Sequence, residues 1–516
     1  MIALTLADIA DITGGRLDSV EDPDARVTGF VEFDSRKVTP GGLFVALPGA
    51  RVDGHDFAQT AIEKGAVAVL AARPVGVPSI VVEPHGRVEG DGANADIYAN
   101  DEDGSAAAVV QALSALARAV TQRLSAEHAL NIVGVTGSAG KTSTKDLIAT
   151  IFRAVGETVA PPGSFNNEIG LPYTALRCDE HTEYLVAEMS ARGIGHIRHL
   201  THITAPRIGV VLNVGTAHLG EFGSRENIAL AKGELVEALP SAADGGVAVL
   251  NADDPFVAAM APRTTAKVVY YSAENRRGGA PAAQYYATDV ELDDVARPSF
   301  TLHTPNAAPL PVKLQVFGAH QVSNALAAAA TAIELGLSAE TVASALSGHR
   351  IASEHRMDVR TRRDGVTVID DSYNANPDSM RAAIAALAYT AAARPDARSI
   401  AVLGEMGELG ADADSAHRRL GEVLAKYHVD YLVAVGENPN CWAMTEAAAQ
   451  QGITTKVCAD VDAAAKAVDA ILRTAPVRTA PVGVDDWASR SVKDVVLVKA
   501  SNAQRLWLVA EQLNHS

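Results

Sequence analysis

NIVGVTGSAGKTSTKDLIATIFRAV, residues 131–155, decides how this chain reads. The apolar run NIVGV has the composition of a buried strand, and TKDLIATIFRAV carries the apolar spacing of a helix. Between them lie Gly137, Ser138, Ala139, Gly140, Lys141, Thr142 and Ser143. A strand, a glycine-rich turn and a helix in this order make an anion site. Glycines let backbone N–H groups approach phosphate oxygens, and the helix N-terminus adds its positive dipole end. Lys141 is spaced to reach a β/γ-phosphate and the Thr142 hydroxyl to reach a magnesium ion. The longer GxxxxGK[ST] pattern is not met, because its first glycine position is Val135, and a shorter GxxGK[ST] stands instead. The bland alternative is a glycine turn without a ligand; the expectation is ATP binding.

Working outward, strand-like runs recur at YLVAEM (184–189), IGVVLNV (208–214) and VAVLN (247–251), separated by helix-length segments. An Ala-rich stretch from Asn324 to Gly336 reads as a buried helix. A second series then follows: VTVIDD (366–371), SIAVLGEM (399–406), YLVAVG (431–436) and DVVLVKA (494–500). Such alternation predicts parallel sheets covered on both faces. Ahead of the phosphate loop, FVALPGA (44–50), AQTAIEKGAVAVLA (58–71) and SIVV (79–82) outline a smaller unit. Residues 73–104 are rich in Pro, Gly, Asn and Asp and read as an insertion and linker. The fold class expected is α/β in three domains: a small α/β domain over 1–104, a central P-loop parallel-sheet domain over 105–347, and a Rossmann-like α/β domain over 348–516. Hinges are expected near 104 and 347–350.

Composition agrees with three folded units. The 516 residues exceed one ordinary core, and 48% hydrophobic with 21% charged residues is globular rather than disordered. With 44 Lys plus Arg against 62 Asp plus Glu, the net charge is −18, which repels a nucleic-acid backbone and excludes a general DNA or RNA binder. A nucleotide bound at a local site remains compatible. Cys178, Cys441 and Cys458 form no CxxC pair, so a disulfide framework or structural zinc site is not expected. The N-terminus MIALTLADIADITGG lacks a basic region, and no apolar run is long enough for a membrane span. A cytoplasmic monomer acting on small molecules is the expectation.

Three further residues follow strand ends or sit on a helix of the central unit. Glu188 closes YLVAEM, where an open α/β sheet presents ligand-binding groups. His218 follows LNVGTA, and Lys232 lies in the helical run ENIALAKGELVEAL. Singly, these read as a solvated acid, a structural histidine and a solvated lysine. Together with Thr142 they supply the ligands that Mg²⁺-assisted phosphoryl transfer requires.

Nearly the whole chain resembles the Mur ligases. The resemblance is carried by DSRKVTPGGLFVAL (34–47), DGHDF (53–57), TGSAGKTS (136–143), FNNEIGLP (165–172), AEMSARG (187–193) and LNVGTAHLGEFGS (212–224). It continues through AKGEL (231–235), GAHQVSNALAAAA (318–330), which opens the last helix of the central unit, DDSYNANPDSM (370–380), AVLGEMGELG (401–410) and DVVLVKAS (494–501). FNNEIGLP and DDSYNANPDSM are similar to the branch that adds a D-alanyl-D-alanine dipeptide. The resemblance implies an ATP-dependent amide ligase acting on UDP-N-acetylmuramoyl-tripeptide through an acyl phosphate. It implies two Mg²⁺ ions, held by Thr142, Glu188, His218 and a carbamylated Lys232. Lys141, Glu188, His218 and Lys232 would be catalytic. The phosphate loop, Asn324, Arg356 and Asp371 would bind ATP, on adenine, phosphate and ribose respectively for the last three. Ser35 and Arg36 would touch the uridine end, Asn166 and Asn167 the glycopeptide, and Asn374, Asn376, Lys499 and Ser501 the dipeptide side.

The chain departs from the family pattern at Lys499-Ala-Ser501-Asn502, at Gly193 and at Gln321. His196, three residues beyond Gly193, receives no role. The alternatives weighed are another Mur-type amino-acid ligase, a folate polyglutamylase, and a protein using ATP as a switch without ligation.

Overall fold

A computed structural model describes residues 1–49, 52–86, 98, 101–216, 219–274, 281–474 and 493–515. Three sheets, each flanked by helices, succeed one another along the chain. The first has five strands in the order Arg16–Asp18, Ser79–Val81, Ala68–Ala71, Leu43–Val45, Val31–Glu32. Ser79–Val81, expected as a short strand, is the second strand of that sheet; residues 87–97 and 99–100 lie outside the described residues. The DGHDF segment folds on itself: Asp53 accepts from His55 Nδ1 at 2.6 Å, and His55 Nε2 accepts the Ala72 N–H at 3.0 Å.

Nine strands form the central sheet. Their order is Leu310–Lys313, Pro298–His303, Tyr285–Leu292, Lys267–Ser272, Val247–Asn251, Ile208–Val211, Asn131–Thr136, Tyr184–Glu188, Thr158–Val159. Pairing is parallel from Thr158–Val159 through Tyr285–Leu292, but the last two pairings, over 285–313, are antiparallel. The strands read from the sequence over 131–251 pair in parallel as expected, and the sheet is extended by an antiparallel edge: Tyr285–Leu292 and Pro298–His303 are joined by a short connection, which only an antiparallel pair allows. Strand Pro298–His303 alternates buried and half-buried residues, the mark of a sheet with one covered face. The Ala-rich helix runs Gln321–Glu334, and it is not the last of its unit, since Ala339–Gly348 follows. Small side chains let it lie close on the sheet and on helix Lys141–Arg153, with Ala325 to Ala330 fully buried.

The third sheet has six strands: Asp358–Thr361, Thr367–Asp370, Val495–Lys499, Ser399–Leu403, Tyr431–Val435 and Thr454–Cys458, parallel except for the first pair. Arg398 and Asp494 pin its centre. Asp494 accepts the Arg398 backbone N–H at 2.8 Å and its Nε at 3.0 Å, with both side chains nearly dry. Truncation of Asp494 to Ala leaves a buried guanidinium unpaired, and a loss of about 3–5 kcal/mol is expected. Urea denaturation of the full chain, followed by tryptophan fluorescence and far-UV circular dichroism, measures it; an unchanged midpoint would refute the pinning role.

Helix Ser105–Glu127 joins the first two units, packing on Leu6–Thr13 of one and on Gly170–Ala175 and His196–Thr204 of the other. Its first turn is held by Asp101, which accepts the N–H groups of Ala106 and Ala107 at 2.8 and 2.9 Å. The segment after Gly348 is strapped to the phosphate-loop helix. Thr150 Oγ1 meets His349 Nδ1 at 2.7 Å, and Ser353 donates to Asp146 at 2.6 Å.

Candidate active site

Asn131–Thr136 lies between Tyr184–Glu188 and Ile208–Val211, so three strand ends converge at the carboxyl edge of the central sheet. This is the switch point where an open α/β sheet forms a ligand crevice. The loop after the central strand enters helix Lys141–Arg153 through Gly140 at φ +83°, and no side chain caps that helix. Other helices here are capped by Thr5, Ser224, Ser338, Asn376 or Asp460. The uncapped N–H groups therefore stand available to an anion. A Cβ on Gly140 would lie 2.7 Å from Asn324 Oδ1, which places Asn324 directly on the loop. Asn324 also donates to Gln321 at 2.9 Å, so the glutamine at that departure from the family pattern orients it.

Lys141 folds back and donates to the Gly137 carbonyl at 2.8 Å. Burial depresses its ammonium pKa, Glu188 opposes the shift and Arg356 adds to it, so all three charges share one neighbourhood. Thr142 donates to Glu188 Oε2 at 2.9 Å, and Asn166 donates to Oε1 at 2.7 Å. Glu188 is 1% exposed, a buried carboxylate at a strand end rather than a solvated one. Ser164 lies 3.1 Å from the Thr142 hydroxyl and accepts from Arg356 at 2.7 Å; Arg356 in turn stacks over the Tyr373 ring, 4.2 Å from its centroid. Its Nε is buried with no hydrogen-bond partner. A buried guanidinium edge facing a phosphate loop suits an oxyanion.

Lys232 is the largest departure from a residue-by-residue reading. Helix Arg225–Glu237 packs it inward at 4% exposure, and among the described residues no hydrogen bond or ion pair reaches its amine. Burial, and then the Lys141 charge, push its pKa well below the ordinary lysine value. That coupling brings Lys232 and Lys141 together. Two residues on, Glu234 accepts the N–H groups of Gly195 at 2.6 Å and Arg198 at 3.0 Å, fixing the loop after Glu188 to the Lys232 helix. His218 lies outside the described residues.

The remaining candidates divide. Asp371 accepts from Lys499 at 2.6 Å, and Lys499 also donates to the Asn374 carbonyl at 2.8 Å, so buried Lys499 ties half-buried Asp371 to the backbone of exposed Asn374. Asn376 caps helix Pro377–Ala392 through Ser379, and Asn374 accepts the Ala375 N–H at 2.8 Å; each carbonyl oxygen already has a structural partner. Asn167 similarly receives the Gly170 N–H at 2.9 Å. Ser501 opens the turn after Val495–Lys499, its N–H donating to the Glu405 carbonyl at 3.0 Å. Arg36, 85% exposed, is forked onto Asp34 beside half-buried Ser35. Ser143 faces the segment 349–357.

Sequence reasoning missed Ser164, Asn213 and Tyr373. Asn213 accepts the Ala139 N–H at 2.9 Å and donates to its carbonyl at 3.1 Å, clasping the phosphate loop. It stands inside LNVGTAHLG, and its place directly after a strand was the available signal. Ser164 had none beyond its nearness to FNNEIGLP.

One hydroxyl and one carboxylate, from Thr142 and Glu188, match a magnesium ion, which takes few protein oxygens and completes its shell with phosphate and water, while the uncapped N–H groups match the phosphates of ATP.

Family models match three successive stretches: "Mur ligase family, catalytic domain" over 28–121, "Mur ligase middle domain" over 135–332, and "Mur ligase, glutamate ligase domain" over 355–502. The UDP-N-acetylmuramoyl-tripeptide–D-alanyl-D-alanine ligase of Mycobacterium tuberculosis is 52% identical, covering 99% of this chain and 98% of the relative. The Escherichia coli enzyme of that name is 33% identical over 85% of this chain and 87% of its own. Among solved structures, MurF from Acinetobacter baumannii superposes with a TM-score of 0.80 at 27% identity, covering 100% and 99% of the two chains. MurF ligase from Thermotoga maritima in complex with ADP gives 0.72 at 28% identity, covering 95% of this chain and 98% of that one.

Proposed function

The chain belongs to the Mur ligase family, and on that premise we propose that it joins D-alanyl-D-alanine to UDP-N-acetylmuramoyl-tripeptide with hydrolysis of ATP to ADP and phosphate. The product is the UDP-linked pentapeptide precursor of peptidoglycan. The single observation that carries this reading is end-to-end identity of 52% with a ligase of that name. Among the described residues no helix is long and apolar enough to cross a membrane. We assign the protein to the cytoplasm, where ATP and UDP-linked precursors are found, and as a monomer.

The chemistry follows from the site. A carboxylate is a poor acyl electrophile, so the tripeptide carboxylate first attacks the γ-phosphorus of ATP. Its oxygen–phosphorus bond forms as the bond to the ADP oxygen breaks, giving an acyl phosphate. The uncapped N–H groups of the loop, Lys141 and Arg356 stabilise charge on the transferring phosphoryl group. The neutral amine of the dipeptide then adds to the acyl carbon, and the tetrahedral intermediate collapses with loss of phosphate and a proton. Thr142 and Glu188 would hold one Mg²⁺, and His218 with a modified Lys232 a second. When bound, these ions neutralise phosphate charge. Lys232, whose burial favours the neutral amine, suits addition of CO₂: RNH₂ + CO₂ gives RNHCOO⁻ and a proton. That reaction turns an uncompensated buried amine into an anion beside Lys141. Asn324, Arg356 and Asp371 are assigned to adenine, phosphate and ribose. Ser35 and Arg36 are assigned to uridine, Asn166 and Asn167 to the glycopeptide, and Asn374, Asn376, Lys499 and Ser501 to the dipeptide side. The three units are assigned to 1–104, 105–347 and 348–516.

The test is an acceptor screen. Purified protein with ATP, Mg²⁺ and UDP-N-acetylmuramoyl-tripeptide is expected to release phosphate only when D-alanyl-D-alanine is added. Equal stimulation by a single amino acid would overturn the dipeptide assignment.

A further inference from the structure

One carboxylate of the third unit reaches the phosphate loop's supporting strand end. Asp378, in the first turn of helix Pro377–Ala392, accepts the Thr216 N–H at 3.1 Å and lies 3.5 Å from its hydroxyl, while Arg381 holds its other oxygen at 2.6 Å. Thr216 belongs to the loop that carries the phosphate loop. Its neighbour Gly215 donates to Ser138 Oγ at 2.9 Å, and Asn213 clasps Ala139 from the same side. The fit around Gly215 is close. A Cβ there would stand 2.2 Å from Asp378 Oδ2 and 3.3 Å from Ser138 Cβ. A carboxylate cannot approach a side-chain carbon that closely, so any residue other than glycine at 215 forces the Asp378 carboxylate off the Thr216 N–H. The same two units touch again nearby: a Cβ on Gly220 would meet the Gly410 N at 2.9 Å, and Arg192 pairs with Glu408 at 3.0 Å.

We infer that Asp378 is a positioning residue for the ligation, a hook by which docking of the third unit sets the register of the Asn213–Thr216 loop beneath the phosphates. This deepens the reading given above and rests on it. The chain of contacts is short: third unit, Asp378, Thr216, Gly215, Ser138, phosphate loop. Most of the ATP contacts assigned above do not need the hook: the phosphate loop and Asn324 belong to the central unit, and Arg356 is bonded to Ser164 of that unit at 2.7 Å. Transfer to an acyl acceptor that the third unit must help enclose does, because a displacement of about 1 Å at reacting groups costs on the order of 10²-fold in rate.

The experiment compares five full-length proteins: wild type, Asp378→Ala, Asp378→Asn, Gly215→Ala and the double variant Gly215→Ala with Asp378→Ala. Each is assayed for dipeptide-dependent phosphate release and for ATP affinity without the other substrates. Asp378→Ala and Gly215→Ala are expected to lose about 10- to 100-fold in kcat while ATP affinity changes less than about 3-fold. Asp378→Asn keeps an oxygen that can accept the Thr216 N–H and is expected to recover most of the lost rate. In the double variant Gly215→Ala with Asp378→Ala, the collision is gone, so the two losses are expected to be less than multiplicative. A Gly215→Ala protein with wild-type kcat would overturn the hook whatever Asp378→Ala does. So would equal failure of Asp378→Asn and Asp378→Ala, or losses of ATP affinity as large as those of kcat. Absence of dipeptide-dependent turnover in the wild type would instead overturn the functional reading itself.

Discussion

Lys141→Ala is expected to lower kcat/KM by about 10³-fold or more, about 4 kcal/mol of transition-state stabilisation. The expectation rests on where the amine sits. It lies at the start of an uncapped helix and within electrostatic reach of Glu188 and Arg356. It donates to the Gly137 carbonyl at 2.8 Å, a contact it can exchange for a phosphate oxygen. Because the side chain is only partly buried and makes no other hydrogen bond, its loss should leave the fold intact. Steady-state kinetics with a thermal melt checks both halves. A variant that keeps a tenth of wild-type turnover would remove Lys141 from the transferring phosphate.

The second large effect is expected from Lys232→Ala. A loss on the order of 10²–10³-fold is predicted, with partial recovery when short carboxylates such as formate or acetate are added. The reason is physical. Burial with no anionic partner among the described residues, and another cation close by, favours the neutral amine, which is the form that takes up CO₂. Truncation would remove the proposed carbamate but leave room for a small anion in its place. Intact-protein mass spectra recorded after rapid trapping should reveal an added CO₂ on wild type and not on the variant. Full activity of Lys232→Ala in CO₂-free buffer would defeat the assignment. Failure of carboxylates to restore any activity would count against carbamylation while leaving burial unexplained.

Much of the fold and part of the site are legible along the chain, because their signals are local. The phosphate loop is read from a strand, a glycine turn and a helix that are contiguous, and local geometry alone aligns their N–H groups. Glu188 is legible for a similar reason: a charged residue closing an apolar run marks a strand end at the sheet edge. The antiparallel strands over 285–313 are harder, since their alternating pattern is weaker than the continuous runs of the parallel strands. The strand at 79–81 is legible as a short apolar run, but its position second in the sheet is not, because a three-residue strand between turn-rich segments gains its place only from its two neighbours.

What the sequence by itself determined is therefore the phosphate chemistry, the sequence of three α/β units and, through motif resemblance, the ligase family. Only the tertiary structure decided which groups share the site. Lys232 is a surface lysine on any helix until a neighbouring element covers that face. Ser164 gains meaning from Arg356, which is 192 positions away, and Asp378 from Thr216, 162 positions away. Contacts across such separations depend on how sheets and helices pack as bodies, and no spacing along the chain encodes them.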